Sequence, residues 1–128
     1  MTEKCSSLEN VDPNKLEEMI GNTITINPQA LLNKKRLYST QKWIDLRKLE
    51  SLYRGKVDRY PPKVWLACEN KDLSVIVGDG NHRVAFACMH REKIDVLIEG
   101  TWPGGVRYGF NIIIQKIQGE LGGSSNIC

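Results

Sequence analysis

The sequence predicts a small α+β domain: a mixed sheet of four or five short strands with helices packed around it. Three observations predict it. Strand-like stretches at 22–27, 64–67, 73–77 and 94–98 are interleaved with helix-like ones at 13–20, 42–53 and 81–91. The 128 residues, 41% of them hydrophobic, supply one core and not two. Apolar runs such as Ile112-Ile113-Ile114 fall far short of the roughly 20 residues a membrane-spanning helix needs. The expected organisation is an N-terminal helical segment at 1–21, a domain at 22–117 and a flexible glycine- and serine-rich tail at 118–128.

The first helix is expected at 13–20. Asp12 caps it, Pro13 occupies the first helical position, Leu16, Met19 and Ile20 form its apolar face, and Gly21 ends it. From 22 to 27, Ile24 and Ile26 alternate with Thr23 and Thr25, the period of a half-buried strand, and Pro28 stops it. Leu31 and Leu32 fit a single turn after that proline. Ser39 or Thr40 can cap a helix in which Trp43, Leu46, Leu49 and Tyr53 recur at helical spacing until Gly55. Pro61-Pro62 leads into an extended run over 64–67, Asn70-Lys71-Asp72 turns, and 73–77 is almost continuously apolar, so these residues read as a hairpin with a buried second strand. Gly78-Asp79-Gly80 breaks that strand, and Val84, Ala85, Cys88 and Met89 share one face of the next helix. A buried strand follows at 94–98. Residues 107–117 fit a strand by Phe110, Ile112 and Ile114 and a helix by Ile113 and Ile117.

The net charge of +3 is unevenly spread. Residues 1–33 balance to −3, residues 34–63 to +7, and the remainder to −1. A field so concentrated attracts phosphate-bearing partners, and Lys34, Lys35, Arg36 and Lys42 are the candidate nucleic-acid contacts, although a solvated charged face gives the same composition. No CxxC pair occurs among the four cysteines, and His82 and His90 lack metal-ligand spacing, so no zinc site is expected. Cys68 and Cys88 read as buried small hydrophobes, and His90 as a dipole partner at a helix end. With no signal peptide at the start of the sequence, a cytoplasmic protein is expected.

The densest chemistry lies in Val77-Gly78-Asp79-Gly80-Asn81-His82-Arg83. A strand, a glycine-broken turn and a helix together present backbone N–H groups and the positive end of a helix dipole to an anion. Gly78 and Gly80 permit close approach, and Asn81 stands at the helix start. Arg83 in the first turn is unfavourable to the dipole unless an anion offsets it, His82 can donate to a phosphate or carry a proton, and Asp79 can hold a phosphate-bound metal. A purely structural turn, with Asp79 capping the helix and His82 and Arg83 at the surface, accounts for the same pattern. Trp43 and Trp65 fall on apolar positions and read as core, whereas Trp102, in a glycine- and proline-rich loop, is the tryptophan best placed to stack on a ligand.

The segment at 76–85, reading I-V-G-D-G-N-H-R-V-A, resembles the D-G-x-H-R signature of the ParB/sulfiredoxin superfamily, and the order of elements over 22–100 is similar to it. The resemblance implies a ParB/sulfiredoxin-like fold whose motif loop and helix bind nucleotide phosphates. Gly80 then matches the glycine of the partition proteins' G-E-R-R box, Asn81 its glutamate, and His82 and Arg83 its two arginines. In the G-G-C-H-R run of sulfiredoxins Asn81 stands at the catalytic cysteine, and an amide cannot replace a thiolate nucleophile, so sulfinic-acid reductase activity is not expected. The D-G-x-H-R form resembles that of free-serine kinases and of proteins labelled ParB-like nucleases. A kinase needs a carboxylate base, for which Asp45 and Glu50 are the nearest candidates, although both also fit as surface partners of Lys42, Arg47 or Arg54.

The expected function is therefore nucleotide or phosphate binding by a ParB-like domain through Gly78, Gly80, Asn81, His82 and Arg83, with ATP or CTP as ligand and Mg²⁺ held by Asp79. Any catalysis would be phosphoryl transfer, nucleotide hydrolysis or nuclease chemistry carried by Asp79, His82 and Arg83. The alternative is a non-catalytic nucleic-acid- or protein-binding module, touching DNA through the basic segment 34–63. Too little chain follows residue 98 for the helix-turn-helix of partition proteins, so sequence-specific DNA reading of that type is not expected.

Overall fold

A computed structural model describes residues 5–42, 47, 60–111, 113 and 114. Strands β1 (Cys5–Ser7), β2 (Thr23–Ile26), β3 (Leu37–Ser39), β4 (Lys63–Glu69), β5 (Asp72–Asp79), β6 (Ile94–Thr101) and β7 (Tyr108–Gly109) form one mixed sheet in the order β1-β2-β6-β4-β5-β3-β7. Helices α1 (Pro28–Asn33) and α2 (Asn81–Met89) connect β2 to β3 and β5 to β6. The domain is α+β, as expected, with seven strands among the described residues where four or five were anticipated. The extra strands β1, β3 and β7 are only two or three residues long. The segment 1–21, read as helical, contributes β1 to this sheet, in parallel register with β2.

The central hairpin follows the expected logic. β4 and β5 pair antiparallel around Asn70 and Lys71, whose positive φ values of 53° and 68° supply the two-residue turn that matches strand twist. β3 and β6 run parallel to β5 and β4 respectively. Ile24, Ile26, Leu37, Val64, Leu66, Val75, Val77, Val96 and Ile98 are buried, and they join Leu31 of α1 and Val84, Ala85, Cys88 and Met89 of α2 in one core. Phe110, Ile113 and Ile114 complete it, and the strand at Tyr108–Gly109 is followed by helical residues at 110, 111, 113 and 114.

Helix ends carry their own chemistry. The Asn27 side chain accepts from the Ala30 amide at 3.2 Å to start α1 at Pro28. Lys35, with φ of 58°, closes it, as Lys35 and Arg36 donate back to the Leu32 and Leu31 carbonyls. Arg91 ends α2 in the same way, bonding Cys88 while Glu92 bonds Ala87. His90 is the C-cap of α2 and packs on Phe86 with ring centroids 4.3 Å apart.

Three expectations change. Pro13–Met19 is a 3-10 helix, interrupted at Lys15, and not an α-helix, although Asp12 caps it as predicted through the Asn14 amide at 2.9 Å. It buries none of its residues fully, and so short a segment lacks the packing that stabilises an α-helix. Cys68 is exposed and not core, because it pairs with Leu73 near the hairpin tip, beyond the buried stretch of β4. Ser39, read as a helix cap, ends β3. The helix expected over 42–53, with Trp43, Asp45 and Glu50, lies outside the described residues except for Lys42 and for Arg47, which is helical.

Candidate functional site

β5 carries the motif to the end of the sheet. Its strand continues through Gly78 to Asp79, two residues further than the sequence suggests. Gly78 is required inside the protein: a Cβ there would fall on the Trp65 ring, 2.8 Å from Cη2. Gly80 is the N-cap of α2 in a left-handed conformation, φ +83° and ψ 26°. A Cβ on it would lie 2.7 Å from Pro62 Cβ and 2.9 Å from Pro62 Cα. Pro62 is buried, and its carbonyl accepts from the Leu97 amide at 2.8 Å, so the Pro62 backbone is pinned against Gly80.

The start of α2 has no side-chain cap and no acidic residue in its first turn. Its first helical bond runs from the Val84 amide to the Gly80 carbonyl at 3.1 Å, so the preceding amides lack acceptors within the helix. Asp79 is exposed and does not cap the helix, contrary to the structural reading of the turn. The positive end of the dipole is thus left without a compensating carboxylate from its own element.

Asn81 is the buried polar residue of the site, only 1% exposed. Its Oδ1 accepts from the Ser39 hydroxyl at 2.5 Å, and that hydroxyl accepts from the Gln41 amide at 2.9 Å. Asn81 Nδ2 is buried with no hydrogen-bond acceptor among the described residues. An unsatisfied buried donor costs about 1–3 kcal/mol, which marks the position where an acceptor is wanting. Ser39 reaches Asn81 because β3 runs parallel to β5, with Ser39 opposite Val77 and the Thr40 amide bonded to the Val77 carbonyl at 3.1 Å.

Gly78, Asp79, Gly80, Asn81, His82 and Arg83 therefore converge at the carboxyl end of β5, with His82 and Arg83 half-buried. Arg83 takes a task that the sequence did not suggest: its Nη1 donates to the Tyr60 carbonyl, tying the chain before Pro61-Pro62 to the first turn of α2. It is a positioning residue in this arrangement. Among the described residues no group of three or more His, Cys, Asp or Glu side chains gathers as for a metal ion, and Asp79 stands alone as a carboxylate in the motif.

The basic run does not join the site. Lys34, Lys35 and Arg36 precede β3, at the end of the strand opposite Ser39. Arg36 bonds the Glu69 carbonyl, the Ser74 hydroxyl and Asp72, and lies 3.9 Å from the Glu69 carboxylate. Arg36, a candidate nucleic-acid contact by sequence, is thus engaged within the hairpin end. Arg107 completes the cluster, bonding Glu69 at 2.7 Å and stacking over the Tyr38 ring at 4.0 Å. The Arg107 hydrogen bond, aided by Ser74 and the two arginine charges and opposed by burial, holds the Glu69 carboxyl below its ordinary value of 4.5. Lys34, Lys35 and Lys42 are exposed, and Lys42 follows Ser39 on the site's side of β3.

Trp65 lies half-buried across Gly78 and Gly100 and packs against Trp102 with ring centroids 5.6 Å apart. Trp102, expected to be the available aromatic, is engaged in that pair. Comparisons of the chain with protein-family models, curated proteins and solved structures find no match in any of the three.

Proposed function

We propose that the N-terminus of α2 binds the phosphates of a nucleotide, ATP or CTP, through the Gly80–Asn81 backbone, the Asn81 amide and the helix dipole. The observation that carries this reading is the buried Asn81 Nδ2 without an acceptor among the described residues, in a helix start that has neither side-chain cap nor acidic residue in its first turn. An anion offers that acceptor and offsets the dipole together. The resemblance of residues 76–85 to the ParB/sulfiredoxin motif adds to it. Mg²⁺ bound to the phosphates would require only one or two protein carboxylates, a demand the exposed Asp79 suits. Mg²⁺ supplies charge neutralisation for phosphoryl transfer or hydrolysis, and His82 is the proton carrier nearest to Asn81 in the motif.

Calorimetric titration with ATP, CTP and inorganic tripolyphosphate, with and without Mg²⁺, tests the reading in wild type and Asn81→Asp. The aspartate keeps an oxygen for Ser39 and exchanges the donor for a negative charge. Losing a hydrogen bond to a charged group, about 1.5–3 kcal/mol, predicts affinity at least about tenfold weaker, with the fold retained by circular dichroism. Undiminished binding in Asn81→Asp, or no binding by wild type, refutes the proposal. Duplex DNA titrated across a salt series examines the alternative, whose mark is affinity falling steeply with salt and indifferent to Asn81→Asp.

A further inference from the structure

We propose that Tyr60 is the nucleobase platform of this site, an inference that rests on the phosphate reading above and gives the ligand its second half. Tyr60 is 76% exposed, the most exposed large hydrophobic side chain among the described residues, and its ring stacks on no described neighbour. Isolated exposed aromatics are ordinary, and what distinguishes this one is its anchoring. Arg83, in the first turn of α2, holds the Tyr60 carbonyl. Two residues on, Pro62 occupies the space a Cβ on Gly80 would need, and its carbonyl accepts from the Leu97 amide of β6. Pro61 and Pro62 restrict the backbone, so an exposed ring is presented from a fixed main chain beside the helix start proposed to receive the phosphates.

The same contacts explain why the motif needs both Gly80 and Arg83 whether or not either touches ligand. Gly80 makes room for the chain bearing Tyr60, and Arg83 fastens it there. A phosphate-only ligand has no use for an aromatic at this point, whereas a nucleotide has a π-face to lay on it, and stacking tolerates any base. The neighbouring aromatics do not compete, because Trp65 and Trp102 are packed on each other.

Tripolyphosphate, which has no base, separates the two halves of the site when compared with ATP and CTP in Tyr60→Ala, Tyr60→Phe and Asn81→Asp. Loss of one base–aromatic stack predicts nucleotide affinity weaker by about fivefold to a hundredfold in Tyr60→Ala, recovery in Tyr60→Phe, and unchanged tripolyphosphate affinity in both. Asn81→Asp should weaken all three ligands alike. If Tyr60→Ala binds ATP and CTP as wild type does while Asn81→Asp loses tripolyphosphate, the platform is refuted and the phosphate site stands. Equal weakening of nucleotides and tripolyphosphate in Tyr60→Ala also refutes it, since the side chain would then act on the cradle and not on the base. Absence of all binding in wild type overturns both proposals.

Discussion

Gly80→Ala tests the geometry on which the site depends, without reference to any ligand. Two costs act at this position. A left-handed backbone costs an L-residue about 1–2 kcal/mol. The new Cβ would also stand 2.7 Å from Pro62 Cβ, 2.9 Å from Pro62 Cα and 3.0 Å from Arg83 Nη2. Pro62 cannot easily retreat, because it is buried and bonded to Leu97, so the overpacking adds about 1–3 kcal/mol. Alanine restricts the unfolded chain and returns about 0.4–1 kcal/mol. The net loss is about 2–4 kcal/mol, a large share of the roughly 5–15 kcal/mol typical of a domain. Gly21 provides the comparison: its φ is +90° with nothing within 4 Å of an added Cβ, so Gly21→Ala carries the backbone cost alone. With a urea slope of about 2 kcal/mol per molar, Gly80→Ala should lower the unfolding midpoint by about 1–2 M and Gly21→Ala by about 0.5 M. Equal midpoints for the two variants would refute the Pro62 contact, and a Gly80→Ala midpoint like that of wild type would refute the left-handed cap.

Two further predictions concern the hydrogen-bonded groups. Ser39→Ala leaves Asn81 Oδ1 without its partner in a buried setting and frees the part-buried Gln41 amide, so stability should fall by about 1–3 kcal/mol and the Gln41 amide should exchange faster with deuterium, as denaturant titration and NMR would register. Glu69→Gln should destabilise the protein at neutral pH by about 0.5–1 kcal/mol, the modest figure reflecting a partly exposed carboxylate. Because its pKa is lowered on folding, the Glu69 contribution is complete above the ordinary value of 4.5 and disappears as the pH falls through the lower, folded value, so the difference between variant and wild type should vanish in acid. A difference that persists unchanged to low pH would show that the Arg107 pair is not its source.

What the sequence made legible has local causes. Alternation of Ile24 and Ile26 with threonines identified β2, and the apolar runs on either side of Asn70-Lys71 identified the β4–β5 hairpin, because each signal is complete within a few neighbouring residues. The helix after Gly80 was visible for the same reason. The parts that escaped depend on distant partners. β3 is three residues long and is a strand because Leu37, Tyr38 and Ser39 lie against Val75, Ile76 and Val77. Ser39 and Asn81 are 42 residues apart, so a serine that reads locally as a helix cap belongs to the candidate site. Arg36 sits in a basic tripeptide, yet Asp72 and the hairpin end claim it from more than thirty residues away. The most informative signal available for Ser39 was negative: a small polar residue at the end of a short apolar-polar run can close a strand as readily as open a helix.

The glycines that first suggested a phosphate cradle do not carry the argument once their surroundings are known. Gly78 is explained by the Trp65 ring and Gly80 by Pro62 and a left-handed turn, so both would be needed in a protein that bound nothing. Asn81, whose oxygen is fixed by Ser39 and whose nitrogen has no acceptor among the described residues, is what supports the proposed ligand instead. Topology supports it as well. β3 and β5 are adjacent and parallel, so their carboxyl ends open on the same side, and the helix leaving β5 presents its positive end there. Lys34, Lys35 and Arg36 lie at the opposite end of β3, where Arg36 is matched by Asp72 and Glu69. Lys34 and Lys35 are therefore separated from Asn81 by the length of β3, whereas a small anion at the carboxyl ends of the two strands would meet Asn81, and the nucleotide proposal rests on that placement.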